Sequence, residues 1–204
     1  SPATAGLYAS IVIRPYITPR LAPALTLVAG VALKEACCTL GVRGVRLKWP
    51  NDVLAYKGPE HGRKLAGMLL ELSADQHKID YAVIGVGVNL RQHDRGSGLD
   101  TYATSLEALG AKIDAAQLLG TFCNHLETRV AEAELEGLGP ASRAWTESAF
   151  GLGDEVCLVD DQREHRGVLH GIAEDGALIL ENAAGRHTYY RGDLQLPGCP
   201  KAPR

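Results

Sequence analysis

One lysine, Lys64, opens an otherwise apolar stretch at residues 64–72 (KLAGMLLEL). An ammonium group in such surroundings neutralises the charge that develops on a phosphoryl group, because little solvent competes with it. Gly67 follows in the same stretch and would let a ligand approach the backbone closely. The alternative is a lysine at a strand end that extends its ammonium into water, and the stretch alone leaves both interpretations open.

A second candidate is the segment Lys48-Trp49-Pro50-Asn51-Asp52. Residues 45–49 alternate apolar and cationic side chains, which predicts a strand, and Pro50 ends it. Asn51 and Asp52 follow in a turn and could orient another side chain. The alternative is that both only form hydrogen bonds to the local backbone.

A third candidate is the face shared by Gly85, Gly87 and Asn89, which the two-residue period of a strand places together. Two glycines would form a flat floor for a planar group. The Asn89 amide could pair with a purine edge, as Asn does with adenine elsewhere. A bend in the strand that needs two glycines explains the same pattern.

Other kinds of site have no support in the sequence. It contains no GxxxxGK[ST] or GxGxxG phosphate loop, no HExxH pair and no GxSxG elbow. The five cysteines are odd in number and form no CxxC pair, which favours reduced thiols in a cytoplasmic protein. We therefore expect no metal site and no serine or cysteine nucleophile.

Composition excludes several classes of protein. The chain has 204 residues, of which 46% are hydrophobic and 22% are charged, with a net charge of -3. These values are typical of a soluble globular protein and argue against a general electrostatic affinity for nucleic acid or membranes. The longest apolar run, residues 25–33, is too short to span a bilayer, and no secretory signal follows Ser1.

The hydrophobic periodicity predicts the strands and helices that position the candidate residues. Residues 7–14 read as a buried strand, residues 21–40 as an amphipathic helix, and residues 64–72 and 79–90 as a long antiparallel hairpin. Residues 56–62 form a lengthened turn before the hairpin.

The C-terminal half changes from helices to short strands. Ser105 precedes a short helical stretch, Asp114 caps a longer helix, and a third helix contains Trp145. The predicted short strands are residues 156–159, 168–172, 177–180 and 187–190. We therefore expect an α+β fold with one domain at residues 1–149 and a small all-β barrel at residues 150–204.

Four motifs, taken in the order of the chain, resemble those of the biotin protein ligases. They are residues 48–52, residues 63–71, residues 85–89 and Ala103-Thr104-Ser105-Leu106. Ser1-Pro2 and Gly6-Leu7-Tyr8 resemble that family's Ser-Pro and Asn-Leu-Tyr segments. The resemblance implies a class II synthetase-like catalytic domain, with a mixed or antiparallel sheet and flanking helices, followed by an SH3-like barrel.

The resemblance also implies a reaction in two steps. Biotin attacks the α-phosphate of ATP in the presence of Mg²⁺, and a lysine of a biotin carboxyl carrier protein then attacks the biotinyl-adenylate. On the matching positions, Lys64 would contact the α-phosphate, Asp52 would orient the reacting groups and Asn89 would bind adenine. The further binding residues would be Lys48, Asn51, Gly67, Gly85 and Gly87.

Two features leave alternatives open. The family's loop rich in Gly and Arg, which closes over the adenylate, is expected before Ser1, so a ligase-like binding module without turnover is one alternative. A lipoate or octanoate ligase is the other. The sequence does not decide on a homodimer or on a preceding winged-helix domain.

Overall fold

The structure is a computed structural model that describes residues 5–56, 58–91, 102–161, 163–197 and 199. Ser1 and Pro2, which carry one of the resemblances, lie outside the described residues.

A five-stranded sheet forms the first half of the molecule, in the order β1-β5-β4-β3-β2, and its neighbouring strands are antiparallel. The strands are β1 (Gly6–Ile13), β2 (Val45–Lys48), β3 (Asp52–Ala55), β4 (Lys64–Ala74) and β5 (Ile79–Asn89). The predicted strand at residues 7–14 and the predicted hairpin are confirmed. The alternation along β5 is also confirmed, because Ile84, Val86 and Val88 are buried whereas Gly85 and Gly87 are partly exposed.

The helices of the molecule are α1 (Leu25–Thr39), α2 (Ala115–Glu136) and α3 (Gly139–Glu147). They pack on one another, and α1 packs on β2, β3 and β4, so they cover one face of the sheet. The Asp114 carboxylate accepts a hydrogen bond from the Ala116 N–H at 2.8 Å, which confirms the predicted cap of α2. We call the covered side the inner face of the first sheet and the opposite side its outer face.

The start of the predicted first helix is a 3-10 helix, Pro19–Ala24, that continues into α1. By length and composition alone the segment Pro19–Thr39 could cross a membrane, although 67% of it is buried inside the protein, as in a core helix. The expectation of no membrane-spanning segment rested on the unbroken apolar run only and overlooked this longer one.

A second five-stranded antiparallel sheet follows, in the order β10-β6-β7-β8-β9. Its strands are β6 (Glu155–Asp160), β7 (Arg163–Ile172), β8 (Leu178–Asn182), β9 (Gly185–Tyr189) and β10 (Asp193–Gln195). Flat, this sheet would separate its end strands by about 19 Å, whereas the residues that join β9 to β10 can span only about 14 Å. The sheet therefore curls, and the predicted SH3-like closure stays a prediction.

Polar contacts join the second sheet's side of the molecule to the β2–β3 turn and to α3. The Trp49 indole N–H donates to the Gly176 carbonyl oxygen at 3.1 Å, and the Ser142 hydroxyl donates to the Ala173 carbonyl oxygen at 3.1 Å. One buried apolar core extends from Leu7 to Leu196. The domain boundary at residues 149 and 150 stays a prediction.

Two local predictions were wrong. Asp52 was expected in a turn, but it begins β3, whose four residues are too few to give a periodic signal. The short helix after Ser105 is a hydrogen-bonded turn, in which the Ser105 hydroxyl accepts from the Ala108 N–H at 3.2 Å. Gly110 adopts a φ of 83° at the end of this turn, which stops a helix from continuing.

Candidate functional site

An ion pair between Lys64 and Asp52 lies where β3 and β4 begin. The Lys64 Nζ is 2.6 Å from the Asp52 Oδ1, and the two side chains are 48% and 18% exposed. The two residues come together because Asp52 is opposite Gly67 in the β3–β4 ladder. The ammonium is thus paired with a carboxylate of the neighbouring strand while the side chain stays nearly half exposed, and the role of Lys64 toward a phosphate stays a prediction.

Gly67 provides the space for this ammonium group. A Cβ atom at position 67 would lie 2.9 Å from both the Cε and the Nζ of Lys64, closer than side chains approach. The sequence analysis assigned that space to a ligand, whereas in the structure the Lys64 side chain fills it.

Backbone hydrogen bonds fix Lys64 from the other side. The Lys64 N–H donates to the Tyr102 carbonyl oxygen at 2.8 Å, and the Thr104 N–H donates to the Lys64 carbonyl oxygen at 2.9 Å. The Asn89 amide in turn donates to the Thr104 carbonyl oxygen at 2.9 Å. Asn89 therefore lies next to Lys64, as predicted, and one of its N–H groups helps to hold the segment that positions Lys64. Its role toward adenine stays a prediction.

The first cavity is an open cleft of about 460 Å³ on the outer face of the first sheet, which we call the glycine cleft. Gly85 and Gly87 form its floor, Tyr8 forms a wall, and Lys64 closes one end. A Cβ atom at Gly87 would lie 3.5 Å from the Tyr8 ring, so the ring lies beside the floor. Asn51 and Gly67 also line this cleft, so five of the eight predicted site residues meet there.

The second cavity, of about 520 Å³, lies between the two sheets, and we call it the inter-sheet cavity. Lys48, Asp52 and Lys64 line it from the first sheet, and Asp193 lines it from β10. The Lys48 Nζ lies 3.3 Å from the Asp193 Oδ1. Lys48 thus belongs to this cavity and does not line the glycine cleft.

Asn51 holds the turn between β2 and β3 against β4. Its amide donates to the Met68 carbonyl oxygen at 2.7 Å, and the Met68 N–H donates to the Asn51 carbonyl oxygen at 3.0 Å. The alternative of a bond to the local backbone is wrong for Asn51, because the bonded carbonyl belongs to Met68, 17 positions away on β4. Its role toward a ligand stays a prediction.

Sequence reasoning missed two residues of this region, Tyr8 and Asp193. Tyr8 is opposite Gly87 in the β1–β5 ladder and is 61% exposed, so the period of β1 would have placed it on the outer face. No local sequence pattern identifies Asp193 as a site residue, because its partner Lys48 lies 145 positions away in the chain.

The arrangement suits the joining of two ligands beside one ammonium group. Lys64 lines both cavities, so a group in the glycine cleft and a group in the inter-sheet cavity would meet at its Nζ atom. Burial raises the pKa of Cys199, which also lines the inter-sheet cavity, and thereby keeps this thiol uncharged and a poor nucleophile. The site therefore supplies positioning and charge rather than covalent catalysis.

Comparison with known protein families and sequences gives consistent matches. Residues 2–147 match the model of the biotin/lipoate A/B protein ligase family. The bifunctional ligase/repressor BirA of Bacillus subtilis (strain 168) is 31% identical over 194 residues, which cover 94% of this chain and 58% of that protein. A biotin--[acetyl-CoA-carboxylase] ligase of Paracoccus denitrificans is 32% identical over 202 residues, which cover 95% of this chain and 82% of that protein.

Solved structures share the fold. A biotin protein ligase from Aquifex aeolicus, solved in complex with biotin and ATP, superposes with a TM-score of 0.77 and 24% identity. The match covers 94% of this chain and 78% of that chain. Against the BirA proteins of two Bacillus species the present chain spans 58% of their length.

Proposed function

Because the chain belongs to the biotin/lipoate A/B protein ligase family, and within it to the biotin protein ligases, we propose that it attaches biotin to a lysine of a biotin carboxyl carrier protein. The reaction would use ATP and pass through biotinyl-5'-AMP. The carrier protein, biotin and ATP are the proposed partners, and the cytoplasm is the proposed compartment.

The observation that carries this proposal is that Lys64, which pairs with Asp52, lines both the glycine cleft and the inter-sheet cavity. The glycine cleft has no side chains at Gly85 and Gly87, which leaves room for the planar ureido ring of biotin close to the backbone. The inter-sheet cavity presents the ammonium groups of Lys48 and Lys64, which suit a chain of phosphates. The carboxylate of biotin and the α-phosphate of ATP would thus react beside Lys64.

In the first step a carboxylate oxygen of biotin attacks the α-phosphorus of ATP, and the bond to the β-phosphate oxygen breaks to release pyrophosphate. Negative charge increases on the equatorial phosphoryl oxygens during this displacement. The Lys64 ammonium stabilises that charge, because the sheet already holds it in place and little reorganisation is needed. Lys48 contributes a second positive charge toward the leaving pyrophosphate.

In the second step the neutral amine of the acceptor lysine attacks the acyl carbon of the mixed anhydride. An amide bond forms, the bond from the acyl carbon to the phosphate oxygen breaks, and AMP leaves. The Asp52 carboxylate is the group nearest to Lys64 that can accept the proton released by the amine. Because the adenylate is already activated, this step needs no enzyme nucleophile.

Mg²⁺ is part of the proposal as the partner of the ATP phosphates. This ion keeps several waters and usually binds through one or two carboxylates plus substrate phosphates. When bound, the ion would neutralise charge on the phosphates.

The proposal extends to the second sheet. We propose that its curl closes it into an SH3-like barrel, which is supported by the short connection between β9 and β10. We make no proposal about a homodimer.

The test is mass spectrometry of a purified carrier domain after incubation with this chain, ATP, Mg²⁺ and either biotin, lipoate or octanoate. We expect the mass increase of one biotinyl group with biotin only. A carrier domain with its acceptor lysine replaced by arginine is the control and should stay unmodified.

The other outcomes decide between the alternatives. Modification with lipoate or octanoate but not with biotin would replace the proposed substrate. Calorimetric binding of biotin and ATP without any modified carrier would indicate a ligase-like binding module.

A further inference from the structure

Five charged side chains line the inter-sheet cavity, and four of them form two ion pairs there: Lys64 with Asp52 and Lys48 with Asp193; the fifth is Asp161. Lys64 pairs with Asp52 at 2.6 Å, and Lys48 pairs with Asp193 at 3.3 Å. Lys48 and Asp52 are directly opposite each other in the β2–β3 ladder. In the part of the chain that the structure describes, Lys48 nevertheless pairs with the carboxylate of the second sheet and not with Asp52.

The burial of Lys48 makes the identity of its anionic partner important. The Lys48 side chain is only 19% exposed, whereas that of Asp193 is 70% exposed. An ammonium group with so little contact with water needs an anionic partner. Without Asp193, the carboxylate at the opposite ladder position, Asp52, becomes that partner. Asp52 would then be shared by two ammonium groups, and Lys48 would move from the Asp193 side of the cavity toward Lys64.

We propose that Asp193 is a positioning residue of the first reaction step, which it serves through Lys48. It holds the Lys48 ammonium at the wall of the inter-sheet cavity, where it faces the phosphate chain, and leaves Asp52 to Lys64 alone. This inference rests on the proposed function. It gives the second sheet a part in the chemistry although that sheet contributes no residue to the glycine cleft.

The fold places Asp193 by means of its two neighbours. Leu194 is 1% exposed and anchors β10 in the core. Gly192 has a φ of 132°, and a Cβ atom there would lie 2.9 Å from the Val159 carbonyl oxygen. The chain can therefore turn tightly into β10 only with glycine at this position, and the tight turn sets Asp193 opposite Val159 on β6.

The test compares Asp193→Asn with Asp80→Asn. Asp80 loses the same charge and also pairs with a lysine, Lys78 at 2.9 Å, but it lines neither the glycine cleft nor the inter-sheet cavity. The assay is the exchange of labelled pyrophosphate into ATP in the presence of biotin.

For Asp193→Asn we expect the KM for ATP to rise about fivefold, as for loss of a partly exposed ion pair, with the KM for biotin unchanged. Asp80→Asn should match the wild type, and Asp193→Glu should restore most of the affinity. A purely structural role would instead lower the melting temperature and raise both KM values.

Calorimetric titration with inorganic pyrophosphate separates this inference from the proposed function, since binding needs no turnover. If the wild type binds pyrophosphate but shows no exchange with biotin, the proposed function fails. In that case, about fivefold weaker pyrophosphate binding in Asp193→Asn than in Asp80→Asn still supports the positioning role. Equal pyrophosphate affinity in these two variants, or no binding by the wild type, would overturn it.

Discussion

The inner and outer faces of the first sheet are built from alternating residues of the same strands, yet they have opposite compositions. On β5, Ile84, Val86 and Val88 are at most 3% exposed and pack in the core. Gly85 and Gly87, between them, form the floor of the glycine cleft. Stability therefore depends on one set of residues, and the proposed ligand binding depends on the other. Substitutions at adjacent positions should separate the two properties.

The largest effect is expected on the inner face, for Leu65→Ala. Leu65 is 1% exposed, and truncation of such a leucine costs about 3 kcal/mol of unfolding free energy. Urea denaturation measures this loss, and the activity per folded molecule should stay close to that of the wild type. A loss below about 1 kcal/mol would show that the inner face is not tightly packed at this point.

The next largest effect is expected at the adjacent outer-face position, for Lys64→Ala. Adenylate formation should fall at least about 10²-fold, equivalent to roughly 2.7 kcal/mol, because one charge-stabilising group is removed. Pyrophosphate release in the presence of biotin measures this step. Lys78→Ala is the control, since Lys78 pairs with Asp80 in an exposed position. Unchanged pyrophosphate release would reject the role of Lys64.

A smaller effect is expected for Gly67→Ala. The added methyl group would lie 2.9 Å from the Lys64 Nζ and displace the flexible end of that side chain. We expect kcat for pyrophosphate exchange to fall about tenfold, since the ammonium would move from its place while the backbone stays as it is. A kcat equal to that of the wild type would mean that the position of the ammonium over Gly67 has no part in the reaction.

The smallest effect is expected for Gly87→Ala. Here the methyl group makes an ordinary contact with the Tyr8 ring at 3.5 Å, so the backbone and Lys64 stay in place. The cleft becomes narrower, and the KM for biotin should rise about threefold with little change in kcat, in keeping with a modest steric penalty in a binding pocket. A fall in kcat as large as that of Gly67→Ala would remove the distinction between the two glycines.

Much of the outer face could be predicted from local sequence pattern. The two-residue period places Gly85, Gly87 and Asn89 together, and the apolar stretch with one lysine identifies Lys64. These predictions succeed because strand geometry depends only on neighbouring residues.

The contacts between distant segments could not be predicted in this way. The β2–β3 turn residue Asn51 bonds to Met68 on β4, and Lys48 pairs with Asp193 from the second sheet. Both contacts are set by the packing of whole strands and sheets, which a single sequence does not encode locally. The short strand β3 was missed because turn residues precede it and its four positions are all partly or fully buried.

The central claim is that biotin and the phosphates of ATP meet at Lys64, between the glycine cleft and the inter-sheet cavity. A crystal structure with a non-hydrolysable analogue of biotinyl-AMP tests this claim most directly. We predict the biotinyl rings over Gly85 and Gly87, with an oxygen of the phosphate analogue within about 3.0 Å of the Lys64 Nζ. An analogue bound with its phosphate group beyond hydrogen-bonding reach of Lys64 would contradict the account.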